Sequence, residues 1–227
     1  MLSDPTGFPA DGLLGLALGT WGADEPTNFL PKVAAQLDAP LMTEWAGAHV
    51  PPTGGTIEAA ITLGAFDSQH CDSRTLQVVQ QRQEDNYWDF VFDVDSVSIA
   101  HYERDNSYPV VTNLGSPALH LHPNDESFVF ELLHAYYNWD LRLRLVDCAA
   151  VRSAPTITIR IGGVAFNIPA ANYILDLDLL SGECALAVEE PDISDAMVLG
   201  LPFLSAFCAT TDFQQHTIEF REALKQE

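Results

Sequence analysis

The chain has 227 residues, 47% of them hydrophobic and 10% aromatic, enough to bury the core of one domain or two small ones. Its net charge of −22, from 32 Asp and Glu against 10 Lys and Arg, repels phosphate backbones and anionic lipid and excludes nucleic acid as an expected partner. No stretch approaches the roughly 20 apolar residues of a membrane span. Met1-Leu2-Ser3-Asp4-Pro5 also lacks the basic segment and apolar run of a signal peptide. The acidity suits a solubilising surface. It also suits an acid compartment, where protonated carboxylates limit excess positive charge.

Asp11-Gly12-Leu13-Leu14-Gly15-Leu16 is apolar and Gly-rich but lacks the pattern of a phosphate loop. Pro26-Thr27-Asn28 can start a helix whose apolar positions are Phe29, Leu30, Val33, Ala34 and Leu37, closed by Pro40. Leu41 to Trp45 reads as a strand, as does 56–64 after a Pro-Pro-Thr-Gly-Gly loop. Residues 87–99 alternate most clearly, with Trp88, Phe90, Phe92 and Val94 on one face and Asp89, Val91, Asp93 and Asp95 on the other. Asp93 and Asp95 have the spacing of a metal-binding pair, but a solvated strand face is the expectation.

Val110 and Val111 lead into Thr112-Asn113-Leu114-Gly115-Ser116-Pro117, a polar tip with a Gly. Asn124-Asp125-Glu126 is expected to cap a helix with a buried stripe of Phe128, Val129, Leu132, Leu133 and Tyr136. Residues 141–148 alternate like a strand. Residues 155–169 hold two β-branched runs meeting at Gly162-Gly163, a hairpin signal. Met197-Val198-Leu199-Gly200-Leu201-Pro202-Phe203-Leu204 reads as strand, Gly and short helix, and 207–220 as a closing pair of strands.

Two clusters invite a metal or redox reading. His120-x-His122, with His134 on the next helix, allows zinc, but no further ligand is fixed and no metal or other cofactor is expected. Cys71, Cys148, Cys184 and Cys208 contain no C-x-x-C pair. Four widely spaced cysteines fit two disulfides in an oxidising compartment, in any of three connectivities, and also fit four buried thiols.

Taken together, these segments resemble pepsin-like aspartic peptidases, with nematode-type digestive members closest. The Asp-Gly-Leu-Leu-Gly-Leu segment, the Gly-Gly strand leading to Asp67 and Cys71, the 87–99 strand, the Asn113 loop, the 155–184 region and the Leu-Gly-Leu-Pro-Phe-Leu segment occur in the family's order. The resemblance implies a mainly β, pepsin-like acid protease fold with a few short helices, incomplete in this chain. Residues 1–82 would be the end of the N-terminal lobe and the interlobe strands, and 83–227 the C-terminal lobe. It also implies the pairs Cys148–Cys184 and Cys71–Cys208 and a secreted or lysosomal setting.

The family's second active-site loop reads Asp-Thr-Gly-Ser/Thr. Here Asn113 stands for Asp and Leu114 for Thr, while Gly115 and Ser116 match; Leu201 stands where the family has a further Asp. Aspartic proteolysis needs two carboxyls sharing a proton, one acting as base and one as acid. Asn113 can hydrogen-bond a peptide but cannot be the base. Nothing in the sequence replaces the family's first Asp-Thr-Gly loop. The expectation is a catalytically inactive homologue that binds a peptide or protein. The alternatives are an active endopeptidase in a full-length form and a non-catalytic structural or binding β-domain. Uncovered sheet edges would favour self-association.

Overall fold

The computed structural model describes residues 14–16, 29–48, 58–82, 90–105, 107–180, 182–190 and 196–225. Most of the Gly-rich segment, the expected helix start at 26–28, the 51–55 loop and the first part of the 87–99 strand lie outside these residues. In chain order the strands are β1 (Leu41–Ala46), β2 (Ala59–Leu63), β3 (Cys71–Gln80), β4 (Phe92–Val94), β5 (Ser96–Ile99), β6 (Tyr102–Arg104), β7 (Tyr108–Thr112), β8 (Leu119–His120) and β9 (Tyr136–Asn138). They continue with β10 (Leu143–Asp147), β11 (Ile157–Ile161), β12 (Val164–Ile168), β13 (Ile174–Leu180), β14 (Glu183–Leu186), β15 (Val188–Glu189), β16 (Met197–Leu199), β17 (Phe207–Asp212) and β18 (Thr217–Ala223). The α-helices are short: α1 (Phe29–Val33), α2 (Pro123–Leu133), α3 (Ala170–Tyr173) and α4 (Leu201–Leu204).

Among the described residues the strands form four sheets. One is antiparallel and five-stranded, in the order β2-β1-β17-β18-β3. A second, β15-β8-β16-β7-β4, is mixed: β16 runs parallel to β7 and antiparallel to β8. The others are β12-β11-β5-β6 and β13-β14-β10-β9. The fold is mainly β with short helices, as the pepsin-like pattern led one to expect.

The clearest local code is the 155–169 hairpin. Ile157, Ile159, Ile161, Phe166 and Ile168 are buried on one face, and Gly162 and Gly163 turn the chain with φ of 56° and 82°. Two successive left-handed residues make the primed turn that matches strand twist, which Gly adopts without a Cβ penalty. Gln77 of β3 donates to the Gly162 carbonyl at 3.0 Å, so this tip is tied to the five-stranded sheet.

Three expectations need correction. The 87–99 segment is not one strand: its described part is β4 and β5, broken at Asp95, and Val91 is buried alongside Phe90 and Phe92. The chain changes sheets there. Asp95 donates its N–H to the Arg160 carbonyl at 2.7 Å and accepts the Gly163 N–H at 2.7 Å, while Asp93 faces Arg82 at 3.5 Å. The two carboxylates therefore have separate partners. The strand expected over 141–148 is β10 and stops at Asp147, whose carboxylate accepts the Ala149 N–H to start a 3-10 turn over Cys148–Arg152.

The third correction concerns α2. Its cap is His122, which accepts the Asn124 N–H at 3.2 Å, and Pro123 is the first helical residue. The buried face is Asp125, Glu126 and Val129, while Leu132 and Tyr136 are exposed. The reason is Arg104. Its guanidinium donates from Nε to both Asp125 oxygens at 2.9 Å and from Nη2 at 2.6 Å, and the Tyr102 hydroxyl adds a bond at 3.1 Å. A two-pronged guanidinium–carboxylate pair makes burial of Asp125 tolerable.

Five phenylalanines from different layers meet in the core. Phe220 of β18 lies 5.2 Å from Phe92 of β4 and 5.3 Å from Phe166 of β12, by ring centroids. Phe207 of β17 lies 5.0 Å from Phe166 and 5.2 Å from Phe203 of α4. Disulfides join Cys71 to Cys208 and Cys148 to Cys184. The first lies under Trp45, whose indole stacks on His70 at 4.1 Å.

Asp125→Ala removes the carboxylate that both prongs of the buried Arg104 guanidinium grip, and is expected to cost about 3–5 kcal/mol of unfolding free energy. Urea denaturation of both proteins checks this, and a loss below about 1 kcal/mol would refute it.

Candidate functional site

The site is the turn between β7 and β8. Its outer residues, Asn113 and Gly115, are exposed, Leu114 is half-buried, and Ser116 is buried. The Asn113 side-chain oxygen accepts the Gly115 N–H at 2.8 Å, and the Asn113 carbonyl accepts the Ser116 N–H at 3.1 Å. These bonds are the tight local closure that Asn and Asp side chains favour.

The segment from β16 to α4 supports this turn through the backbone. Asn113 donates its N–H to the Leu199 carbonyl at 3.1 Å, and Leu201 donates to the Ser116 carbonyl at 2.9 Å. Between them, Gly200 lies so close that a Cβ would sit 2.3 Å from the Ala118 carbonyl oxygen and 2.4 Å from that of Ser116. The requirement for Gly is one of close approach, since its φ of −86° is ordinary. Asn172 fixes α4 by donating to the Pro202 carbonyl at 3.1 Å and to the Ser205 hydroxyl at 2.9 Å. A shallow depression bordered by Pro117, Leu201 and Asn172 lies beside the turn.

Two further groups hold the turn: sequence reasoning missed Glu44 and weighed His120 only as a zinc ligand. Glu44 of β1 is buried; one oxygen accepts the Thr112 hydroxyl at 2.7 Å and the other the Leu114 N–H at 3.2 Å. Burial raises its pKa above the ordinary carboxylate value, and the bonds from Thr112 and Leu114 oppose the shift. The available signal was a lone charge in the otherwise uncharged run Leu-Met-Thr-Glu-Trp-Ala.

The other group is His120. Its Nδ1 is 2.9 Å from the Glu190 carbonyl oxygen and its Nε2 is 2.9 Å from the Ser116 hydroxyl, which also lies 3.0 Å from the Ala118 carbonyl. A carbonyl can only accept, so Nδ1 carries a proton. Ser116 and His120 have the separation of a nucleophile and its base, but both are buried and act as a brace.

The three histidines weighed for zinc are not brought together by one strand face. His120 ends β8, His122 caps α2, and His134 ends that helix in the left-handed conformation, exposed. Among the described residues, the one grouping with metal-ligand spacing is Cys148, Asp176 and Cys184, whose two sulfurs are bonded to each other.

The sequence model of the eukaryotic aspartyl protease family matches residues 4–223. The chain belongs to that family. This aspartyl protease homologue is 29% identical to aspartic protease 1 of Caenorhabditis elegans over 229 residues, covering 98% of this chain and 57% of the relative. It is 26% identical to aspartic protease 17 of the same species, covering 95% and 55%, and 26% identical to rabbit (Oryctolagus cuniculus) gastricsin, covering 92% and 54%. The homologue thus spans a little over half the length of these relatives.

Glu126 of α2 gives a pH signature near this site. It is 1% exposed, its Oε1 has no hydrogen bond, and Arg144 is 3.8 Å away. Burial, then the charge of Glu190, pushes its pKa up to about 7, with Arg144 opposing. The folded state keeps a proton that the unfolded chain gives up. Its contribution is therefore complete below the ordinary value of 4.5 and is lost as pH rises towards 7. Asp67 works the other way. Burial alone would raise its pKa, but bonds from His70 and Thr62 hold it below 3.8, so its stabilisation fades only in stronger acid. Unfolding free energy is expected to fall by roughly 2–3 kcal/mol between pH 4.5 and 7.5. Glu126→Gln should flatten that slope in urea titrations across the range. Gly200→Ala, measured alongside by melting temperature, should destabilise the fold, because two carbonyls occupy the new methyl's place.

Proposed function

We propose that this chain is a catalytically inactive member of the aspartyl protease family that binds a peptide or protein segment at the Asn113 turn. The observation that carries the reading is Asn113 itself. It stands where the family has its carboxylate, and its side-chain oxygen is engaged by the Gly115 N–H. An amide at that place keeps hydrogen-bonding capacity and lacks the basicity that water activation needs. Leu114 and Leu201, in place of polar family residues, point the same way. The carboxylate that does meet the turn, Glu44, is buried beneath it with both oxygens bonded. Peptide substrates are the family's general business, and the exposed Asn113 and Gly115 give an extended chain polar groups to meet. Residues 1–82 and 83–227 remain our proposed division into N-lobe end and C-lobe.

A secreted or acidic compartment belongs to the same reading. Two disulfides fit an oxidising route, and the raised carboxylates of Glu44 and Glu126 fit an environment where they hold protons. Among the described residues no helix is long and apolar enough to cross a membrane. Self-association is proposed through the edges of the five-stranded sheet, where Ile61 of β2 and Val78 of β3 are exposed.

Incubation with denatured protein at acid pH should release no new termini, while fluorescence anisotropy should detect saturable binding of extended peptides. Asn113→Asp alone should restore no hydrolysis. Turnover blocked by a statine-type transition-state inhibitor would overturn the proposal. Light scattering across a concentration series should show dimers, and a monomer at every concentration would remove the self-association reading.

A further inference from the structure

We infer that Glu44 is the positioning residue of the Asn113 turn: a carboxylate from the neighbouring sheet bridges the Thr112 hydroxyl and the Leu114 N–H and fixes where the turn projects. The inference rests on the reading of this turn as the functional surface. Its test uses no peptide, so the two can fail separately.

Glu44 sits in β1, second from one edge of the five-stranded sheet, with Ile61 of β2 and Ala209 of β17 as its cross-strand neighbours. It is 6% exposed. A carboxylate so placed persists only where donors replace water, and here each oxygen has one: Thr112 at 2.7 Å and Leu114 at 3.2 Å. Those donors flank Asn113 on both sides. Among the described residues, the remaining bonds of the turn are local, the His120 brace on Ser116 included, or come from the β16–α4 segment. Glu44 is thus the side-chain link between the turn and the five-stranded sheet. Leu114 brings no hydroxyl of its own, so its N–H depends on an acceptor reaching in from elsewhere.

Among the described residues, no charge beside Glu44 explains its presence as an ion-pair partner. β1 carries no other charge, and the sequences of β2, β7 and α4 carry none. On β17 the charged residue is Asp212, which pairs with Leu41 at the far end of β1. What Glu44 does meet is a hydroxyl and an amide, a pair that either protonation state can serve. Ionised, it accepts from both. Protonated on the Thr112 side, it donates to that hydroxyl oxygen and still accepts from Leu114. The link survives acid, while the electron density facing the Leu114 N–H changes with titration.

The test is ¹H–¹⁵N spectroscopy and amide exchange on the full chain. In the wild type the Leu114 N–H should be protected, and its shift should titrate with a midpoint above the ordinary range of a glutamate. Glu44→Gln keeps an acceptor for Leu114 and an amide for Thr112, so protection should remain and the titration should vanish. Glu44→Leu should speed Leu114 exchange about tenfold or more, the size expected for one lost hydrogen bond, with β17 and β18 amides unchanged. Unchanged Leu114 exchange in Glu44→Leu would overturn the inference. If that variant does not fold, a Leu114 shift that still titrates in Glu44→Gln overturns it equally well.

Discussion

The packing of Phe92, Phe166, Phe203, Phe207 and Phe220 is the constraint on which the rest of the structure depends. These rings come from three of the four sheets and from α4, and they join the apolar faces of those three sheets. Because α4 is part of the cluster, the segment that supports the Asn113 turn is positioned by the core. The turn then inherits its place through two backbone bonds and the absence of a side chain at Gly200. A surface feature with exposed polar groups is in this way set by aromatic packing beneath it.

Polar groups add a second layer of constraint. Asp125, Glu126, Glu44 and His120 are all buried, in a chain with so many carboxylates that most must face water. Each has a different solution. Asp125 has a guanidinium, Glu44 has two neutral donors, His120 spans a carbonyl and a hydroxyl, and Glu126 stays protonated until near neutrality. Such arrangements cost desolvation and give specificity of position. They cluster around α2 and the Asn113 turn, where the structure has most need of a fixed geometry.

What could be read from sequence follows from which interactions are local. The 155–169 hairpin was legible because alternation and two glycines encode it within fifteen residues. The β16-Gly-α4 segment and the family relationship were legible because several short motifs kept their order. The break at Asp95 was hidden, since a chain that switches sheets keeps its alternation on both sides of the switch. The burial of Asp125 was hidden because its partner, Arg104, lies 21 residues away and Asp at a helix start normally faces water. Glu44 was missed for the same reason, its partners being 68 and 70 residues distant. His120 and His122 looked like neighbours on one strand face, but the strand ends between them.

The bond between Cys71 and Cys208, separated by 137 positions, turns most of the described chain into a covalent ring. A ring of that kind changes what a proteolytic cut can achieve. A peptide bond severed anywhere between those two cysteines leaves both pieces attached, held by sulfur as well as by the sheet that β3 and β18 share. In surroundings rich in peptidases, a nick would relax a loop without releasing a fragment. The Asn113 turn, which lies inside the ring, would stay tethered to β1 and to the residue that underpins it.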